Sequence, residues 1–214
     1  MRVGKKLVVF DLDGTLNRTE CFALPAILDA LRDYGITSFT EEDIKKTFGA
    51  RDEDTIKLFF GNKAEEMNDI FWNKVDEYSK TRYADCYKPY YGVIEVLARL
   101  KYNGYLTAVC SNAELDYIQF VTNKLGIYGY IDYFQPLIKG KTKKDTLKML
   151  LHKVKPKKAV MVGDRYFDME AARYNKIPFV GCSYGFAKEG ELDGADAIID
   201  EPIEIIEFLC KWKK

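Results

Sequence analysis

The chain has 214 residues, with 33 basic and 33 acidic side chains, a formal net charge of +0 and one histidine, His152. At about 150 residues per domain, this length predicts one substantial core plus a smaller attachment, and no bulk positive field is available to hold nucleic acid or an anionic membrane. A single imidazole excludes HExxH and two-histidine zinc sites and leaves a serine or cysteine triad only that ring, so acid–base chemistry is expected to fall to carboxylates.

In chain order, the first apolar run, 7–10, is too short for the core of a signal peptide and reads as a strand. Further β-rich runs follow at 105–110, 158–162, 177–182 and 195–199. Several are continuous in Val, Ile, Leu and Phe, as strands buried on both faces of a parallel sheet are. Amphipathic helical patterns at 93–102, 114–125, 144–154 and 167–175 lie between them, which predicts an α/β domain. No stretch approaches the roughly 18 apolar residues of a membrane span.

From about 20 to 84 the alternation stops and only helical segments are legible. Thr40 with Asp43 has the outline of a capping box before 44–47, with Gly49 as the stop. Residues 63–80 predict a longer helix with Met67, Ile70, Phe71, Val75 and Tyr78 on one side. This is too much chain for a loop, so it reads as an inserted helical domain, 18–87, within an α/β core of 1–17 and 88–214. The aromatics Phe59, Phe60, Phe71, Trp72, Tyr83, Tyr87, Tyr90 and Tyr91 read mostly as packing residues, not as a nucleobase platform. Five cysteines, odd in number and without a CxxC pair, suggest reduced thiols and a cytoplasmic address. Cys110 reads as a small buried strand residue.

Chemistry is concentrated at predicted strand ends. Asp11 and Asp13, within Phe10-Asp11-Leu12-Asp13-Gly14-Thr15-Leu16, close the first strand, where ligands bind in parallel sheets. Asp11 can act as a nucleophile forming an aspartyl-phosphate, and Asp13 can protonate a leaving oxygen and then activate water. Asp164 and Asp168 follow the strand ending at Val162. Four carboxylates converging in a low-dielectric cleft repel one another unless a cation sits among them, and a hard divalent ion, Mg²⁺, suits oxygen ligands. Ser111 and Asn112 follow the strand 105–110 and read as a helix opening able to hold phosphate oxygens. Lys141, Lys143 and Lys144 precede a further helix.

Together these residues resemble the haloacid dehalogenase (HAD) superfamily of phosphotransferases, over nearly the whole chain. The resemblance implies a Rossmann-like core with an all-α cap inserted after the first motif. It implies Mg²⁺ held by Asp11, the backbone carbonyl of Asp13, and Asp164, with Asp168 in support. It further implies phosphate contacts from Leu12, Asp13, Ser111 and Asn112, and a motif lysine, preferably Lys143, with Lys141 as its rival. Asp13 separates the chain from carbon-attacking dehalogenases, which lack an acid there.

The expected activity is Mg²⁺-dependent hydrolysis of small phosphomonoesters, phosphoglycolate phosphatase-like. A β-phosphoglucomutase-like mutase and a catalytically silent binding module are the alternatives. Gly49 and Arg51 fall where capped relatives carry a substrate-specificity loop, and a closing cap would confine substrates to small phosphorylated metabolites. Nucleic acid and membranes are not expected partners, and monomer and homodimer both stay open.

Overall fold

A computed structural model describes residues 5–48, 50 and 52–212. The chain divides into two compact units, Met1–Arg18 with Pro89–Lys214, and Thr19–Lys88.

Among the described residues the first unit holds a six-stranded sheet, and every strand pair in it is parallel. The chain enters through β1 (Lys6–Phe10). It next passes through four helices of the second unit, α1 (Glu20–Asp33), α2 (Glu41–Lys45), α3 (Asp52–Phe60) and α4 (Ala64–Thr81). Back in the first unit come α5 (Val93–Tyr102), β2 (Leu106–Cys110), α6 (Leu115–Lys124) and β3 (Tyr133–Gln135). There follow α7 (Lys143–Val154), β4 (Lys158–Gly163), α8 (Tyr166–Tyr174), β5 (Phe179–Cys182), β6 (Ala197–Ile199) and α9 (Glu204–Lys211). The sheet order is β3-β2-β1-β4-β5-β6, the doubly wound Rossmann order, whose switch point falls between β1 and β4.

The central strands are Val-rich because both of their faces are covered. Leu7, Val9, Ala108, Cys110 and Met161 pack against Leu147 and Leu150 of α7 and Ala171 and Ala172 of α8. The alternate residues Val8, Phe10, Val109, Val160 and Val162 point the other way and are equally buried.

In the helical unit, α4 packs on α1 and α3. Phe71 is fully buried there, with the rings of Phe59, Phe60 and Trp72 edge-on at 5.6, 5.3 and 5.2 Å. The Thr40–Asp43 capping box starts α2 as expected: the Thr40 backbone N–H donates to Asp43 and the Asp43 N–H to Thr40 Oγ1. Gly49, read as the stop after it, lies outside the described residues, and the helix itself ends at Lys45.

Two packing expectations need correction. Ile70 is 51% exposed, because it stands about 100° around α4 from the buried stripe of Phe71, Val75 and Tyr78. Tyr91 is 94% exposed and packs nothing. Two elements were not foreseen, the three-residue edge strand β3 and α9.

Candidate active site

The loop after β1 folds around a single carbonyl. Leu12 C=O accepts the N–H groups of Leu16 and Asn17, both at 2.9 Å, and Gly14 N–H donates to Asn17 C=O at 3.0 Å. This tight turn needs Gly14 in the left-handed region, at φ +79°, and a Cβ there would stand 2.2 Å from Asp164 Oδ2. Asp11 and Asp13 thereby project beyond the carboxyl end of β1, beside the end of β4, at the topological switch point.

Asp11, Asp164 and Asp168 each place a carboxylate oxygen within 4.8 Å of the others. Asp164, just beyond β4, is fully buried, with Thr15 Oγ1 donating to its Oδ1 at 3.2 Å and Phe186 N–H to its Oδ2 at 2.7 Å. Asp168, in the first turn of α8, is also fully buried and accepts the Arg165 N–H at 3.1 Å. It therefore caps its helix and faces the site at once.

Lys143 enters from the start of α7. Asp145 Oδ2 accepts the Thr142 N–H at 2.9 Å, which fixes the first turn and the lysine's position. Its Nζ lies 2.8 Å from Asp11 Oδ1 and 2.5 Å from Asp168 Oδ1, with the side chain 5% exposed. Lys141, two residues earlier, is exposed.

The electrostatics follow from this crowding. Burial, and then the neighbouring Asp11 and Asp168, raise the Asp164 carboxyl well above the usual carboxylate range. Burial and Asp11 push Asp168 up to about 6 despite Lys143 beside it. Burial works against the Lys143 charge, but Asp11 and Asp168 outweigh it and raise its pKa. Fully ionised, three carboxylates against one ammonium leave a surplus of negative charge in a buried, oxygen-only donor set. Those donors fit a hard divalent cation, which would relieve the repulsion that lifts Asp164 and Asp168.

Asp13 does not join the carboxylate cluster. Its Oδ1 accepts from Asn17 Nδ2 at 2.9 Å and from the Tyr117 hydroxyl, on α6, at 3.0 Å. Ser111 is buried beside the end of β2, but it does not open a helix. Its Oγ accepts the Ala113 N–H at 3.1 Å in a local turn, and α6 begins only at Leu115, behind Glu114. Asn112 is exposed. The Leu12 N–H, expected on phosphate, donates to Asp11 Oδ1 at 2.8 Å. Gly49 and Arg51 both lie outside the described residues. Cys110 is a buried strand residue whose thiol burial pushes up to about 11, no nucleophile.

Several further residues stand at the site: Asn17 and Tyr117 gave no sequence signal, and the glycines and Tyr184 of 181–190 left open whether that segment meets the site or only leads into the next strand. Asn17 and Tyr117 hold Asp13, and the segment after β5 closes on Asp164. Phe186 donates its N–H there, and a Cβ on Gly185 would lie 2.3 Å from Asp164 Cβ and 2.4 Å from Gly14 O. Tyr184 donates its hydroxyl to Thr15 C=O at 3.1 Å.

Residues 8–182 match the haloacid dehalogenase-like hydrolase family. The chain belongs to this family, and it is a phosphatase of it. It is 30% identical to a phosphoglycolate phosphatase of Nitrosococcus oceani over 96% of this chain and 97% of that protein. It is 29% identical to the pyrophosphatase PpaX of Listeria innocua over 78% of this chain and 77% of that one. In fold it is similar to a haloacid dehalogenase-like family hydrolase from Streptococcus pneumoniae, with a TM-score of 0.85 and 21% identity over 96% of this chain and 98% of that one.

Proposed function

We propose that the chain hydrolyses small phosphomonoesters, phosphoglycolate among them, through an aspartyl-phosphate on Asp11, with Mg²⁺ as cofactor. The observation that carries this reading is the buried Lys143 ammonium, held by Asp11 on one side and Asp168 on the other. That arrangement aims a nucleophile and a cation at the same place. Asp11, Asp164 and the backbone carbonyl of Asp13 would hold the metal, with Asp168 supporting, and the ion supplies neutralisation of phosphoryl charge.

The rest is the work of the chain's own groups. The Leu12 N–H and Lys143 both bind Asp11 Oδ1, so Oδ2 is the oxygen that attacks phosphorus in line. As the leaving bond breaks, Lys143 neutralises negative charge on the phosphoryl oxygens. Ser111 stands at the end of β2 to donate its hydroxyl to one of them. Asp13 gives its proton to the departing alkoxide and then takes one from the water that opens the aspartyl-phosphate. Asn17 and Tyr117 keep that carboxyl in one position through both steps. A closing cap, as the family resemblance implies for the helical insert, would exclude water and keep substrates small, which disfavours nucleic acid and membrane surfaces as partners. No helix among the described residues is long and apolar enough to cross a membrane, and a cytoplasmic setting matches the five free thiols.

Relatives of nearly equal identity carry phosphoglycolate and pyrophosphate in their names, so the substrate is decided by turnover. The test compares phosphoglycolate, pyrophosphate, nucleotides and hexose phosphates with and without Mg²⁺. Phosphate release from phosphoglycolate, dependent on Mg²⁺ and on Asp11, is expected. Hexose phosphate interconversion without phosphate release would instead assign a mutase.

A further inference from the structure

A second concavity lies at the other end of the core sheet. The turns that enter β4 and β5 wall it, at the amino ends of strands whose carboxyl ends carry the site. Its volume is about 430 Å³, within the range of small-molecule pockets, and its walls include Lys155, Lys157, Lys158, Lys176 and Trp212. Among the described residues the lining contains no carboxylate, and none of these four lysines forms an ion pair.

Two features show that positive charge is kept here against local cost. Lys155 and Lys176, at φ +50° and +56°, are the non-glycine residues with positive φ among those described. Each stands where a helix has just ended, a position that glycine or asparagine occupies with less strain. A lysine at both places retains a side chain at the expense of the backbone, and both residues line one pocket. Next to them, Lys6 and Lys158 are direct partners on neighbouring strands, where like charges repel. Their ammonium groups lie 5.4 and 5.8 Å from the centroid of the Trp212 ring.

We propose that this pocket binds a small anion carrying several phosphate charges, either free inorganic polyphosphate or the phosphate chain of a nucleotide. Lys155, Lys157, Lys158 and Lys176 supply the charge-assisted hydrogen bonds, and Trp212 forms an aromatic wall. The pocket is separated from Asp11 by the length of the sheet, so occupancy here does not compete with substrate.

Trp212 reports on the site directly. The chain has two tryptophans, so a Trp72→Phe protein leaves Trp212 as the fluorophore. Sodium tripolyphosphate, titrated without divalent metal, is expected to change its emission saturably. In the Lys155→Gly/Lys176→Gly double variant the Kd rises at least about tenfold, while Tm holds or rises because glycine relaxes both backbones. ATP binding as well as tripolyphosphate assigns the phosphate chain alone. ATP binding about tenfold tighter assigns a nucleotide with its base on Trp212. A flat titration, a double variant that binds as well as its parent, or an oligonucleotide that binds more tightly than either anion would overturn the proposal.

Discussion

Lys143 Nζ bridges Asp11 Oδ1 and Asp168 Oδ1 at 2.8 and 2.5 Å, so one ammonium ties the end of β1 to the first turn of α8. The same contact neutralises the proposed nucleophile's surroundings and closes the sheet's switch point. Lys143→Met is expected to lower kcat by about 10²–10³-fold, as loss of a charge aimed at the developing phosphoryl oxygens does. It should also destabilise the fold by about 3 kcal/mol, because Asp168 is left buried without its counter-ion. Lys141→Ala should stay within about twofold of the parent, since that side chain is exposed. Steady-state kinetics with thermal melts on both variants checks this, and equal losses would contradict it.

Tyr117 donates to Asp13 Oδ1, and a donor to a carboxylate favours its charged form. Removing the hydroxyl in Tyr117→Phe therefore raises the Asp13 pKa. Asp13 must be protonated to release the alcohol and deprotonated to activate water. The basic limb of kcat/KM and the acidic limb of kcat should both move to higher pH, by up to about one unit. A lowered rate with an unmoved profile would reduce Tyr117 to a packing role.

Metal-free stability should depend on pH in an unusual direction. The Asp164 and Asp168 carboxyls are raised in the fold, Asp168 to about 6, so the folded chain binds more protons than the unfolded one above pH 4. The stability these two groups contribute is fully present below the ordinary carboxylate range and is lost as pH rises through about 6. Metal-free protein should melt several degrees higher at pH 5 than at pH 7.5. Added Mg²⁺ should raise Tm at pH 7.5 in a concentration-dependent way. Calorimetric melts that rise from pH 5 to 7.5 without metal, or ignore Mg²⁺, would contradict the cation-site reading.

Gly185→Ala should cost about 1–3 kcal/mol and most of the activity, because its Cβ meets Asp164 Cβ and the Gly14 carbonyl at once. His152→Ala, by contrast, changes an exposed residue in the last turn of α7 and should leave turnover intact. Kinetics on the pair, with circular dichroism to report the fold, separates the two expectations.

Legibility in the sequence followed burial. β1, β2 and β4 were visible because strands covered on both faces must be continuously apolar, and Asp11 and Asp164 were visible because they close such strands. β3 was hidden: it has three residues, two of them half-buried at the sheet edge, and carries no apolar run. Ile70 was placed on the wrong side because a window of helical spacing tolerates neighbours about 100° apart. Ser111 looked like a helix cap, but a turn through Ala113 intervenes before α6. Tyr117 left no trace, and the role of Gly185 stayed open, because each acts on a residue far away in the chain and no local periodicity encodes a contact closed only by the fold.

The most direct measurement traps the intermediate. Acid-quenched enzyme, sampled by mass spectrometry during turnover of phosphoglycolate with Mg²⁺, should carry one phosphoryl group on the peptide containing Asp11. That group should disappear as substrate is exhausted, and Asp11→Asn should show neither label nor turnover. Turnover that persists in Asp11→Asn, or a phosphoryl group found on another residue, would contradict covalent catalysis by Asp11.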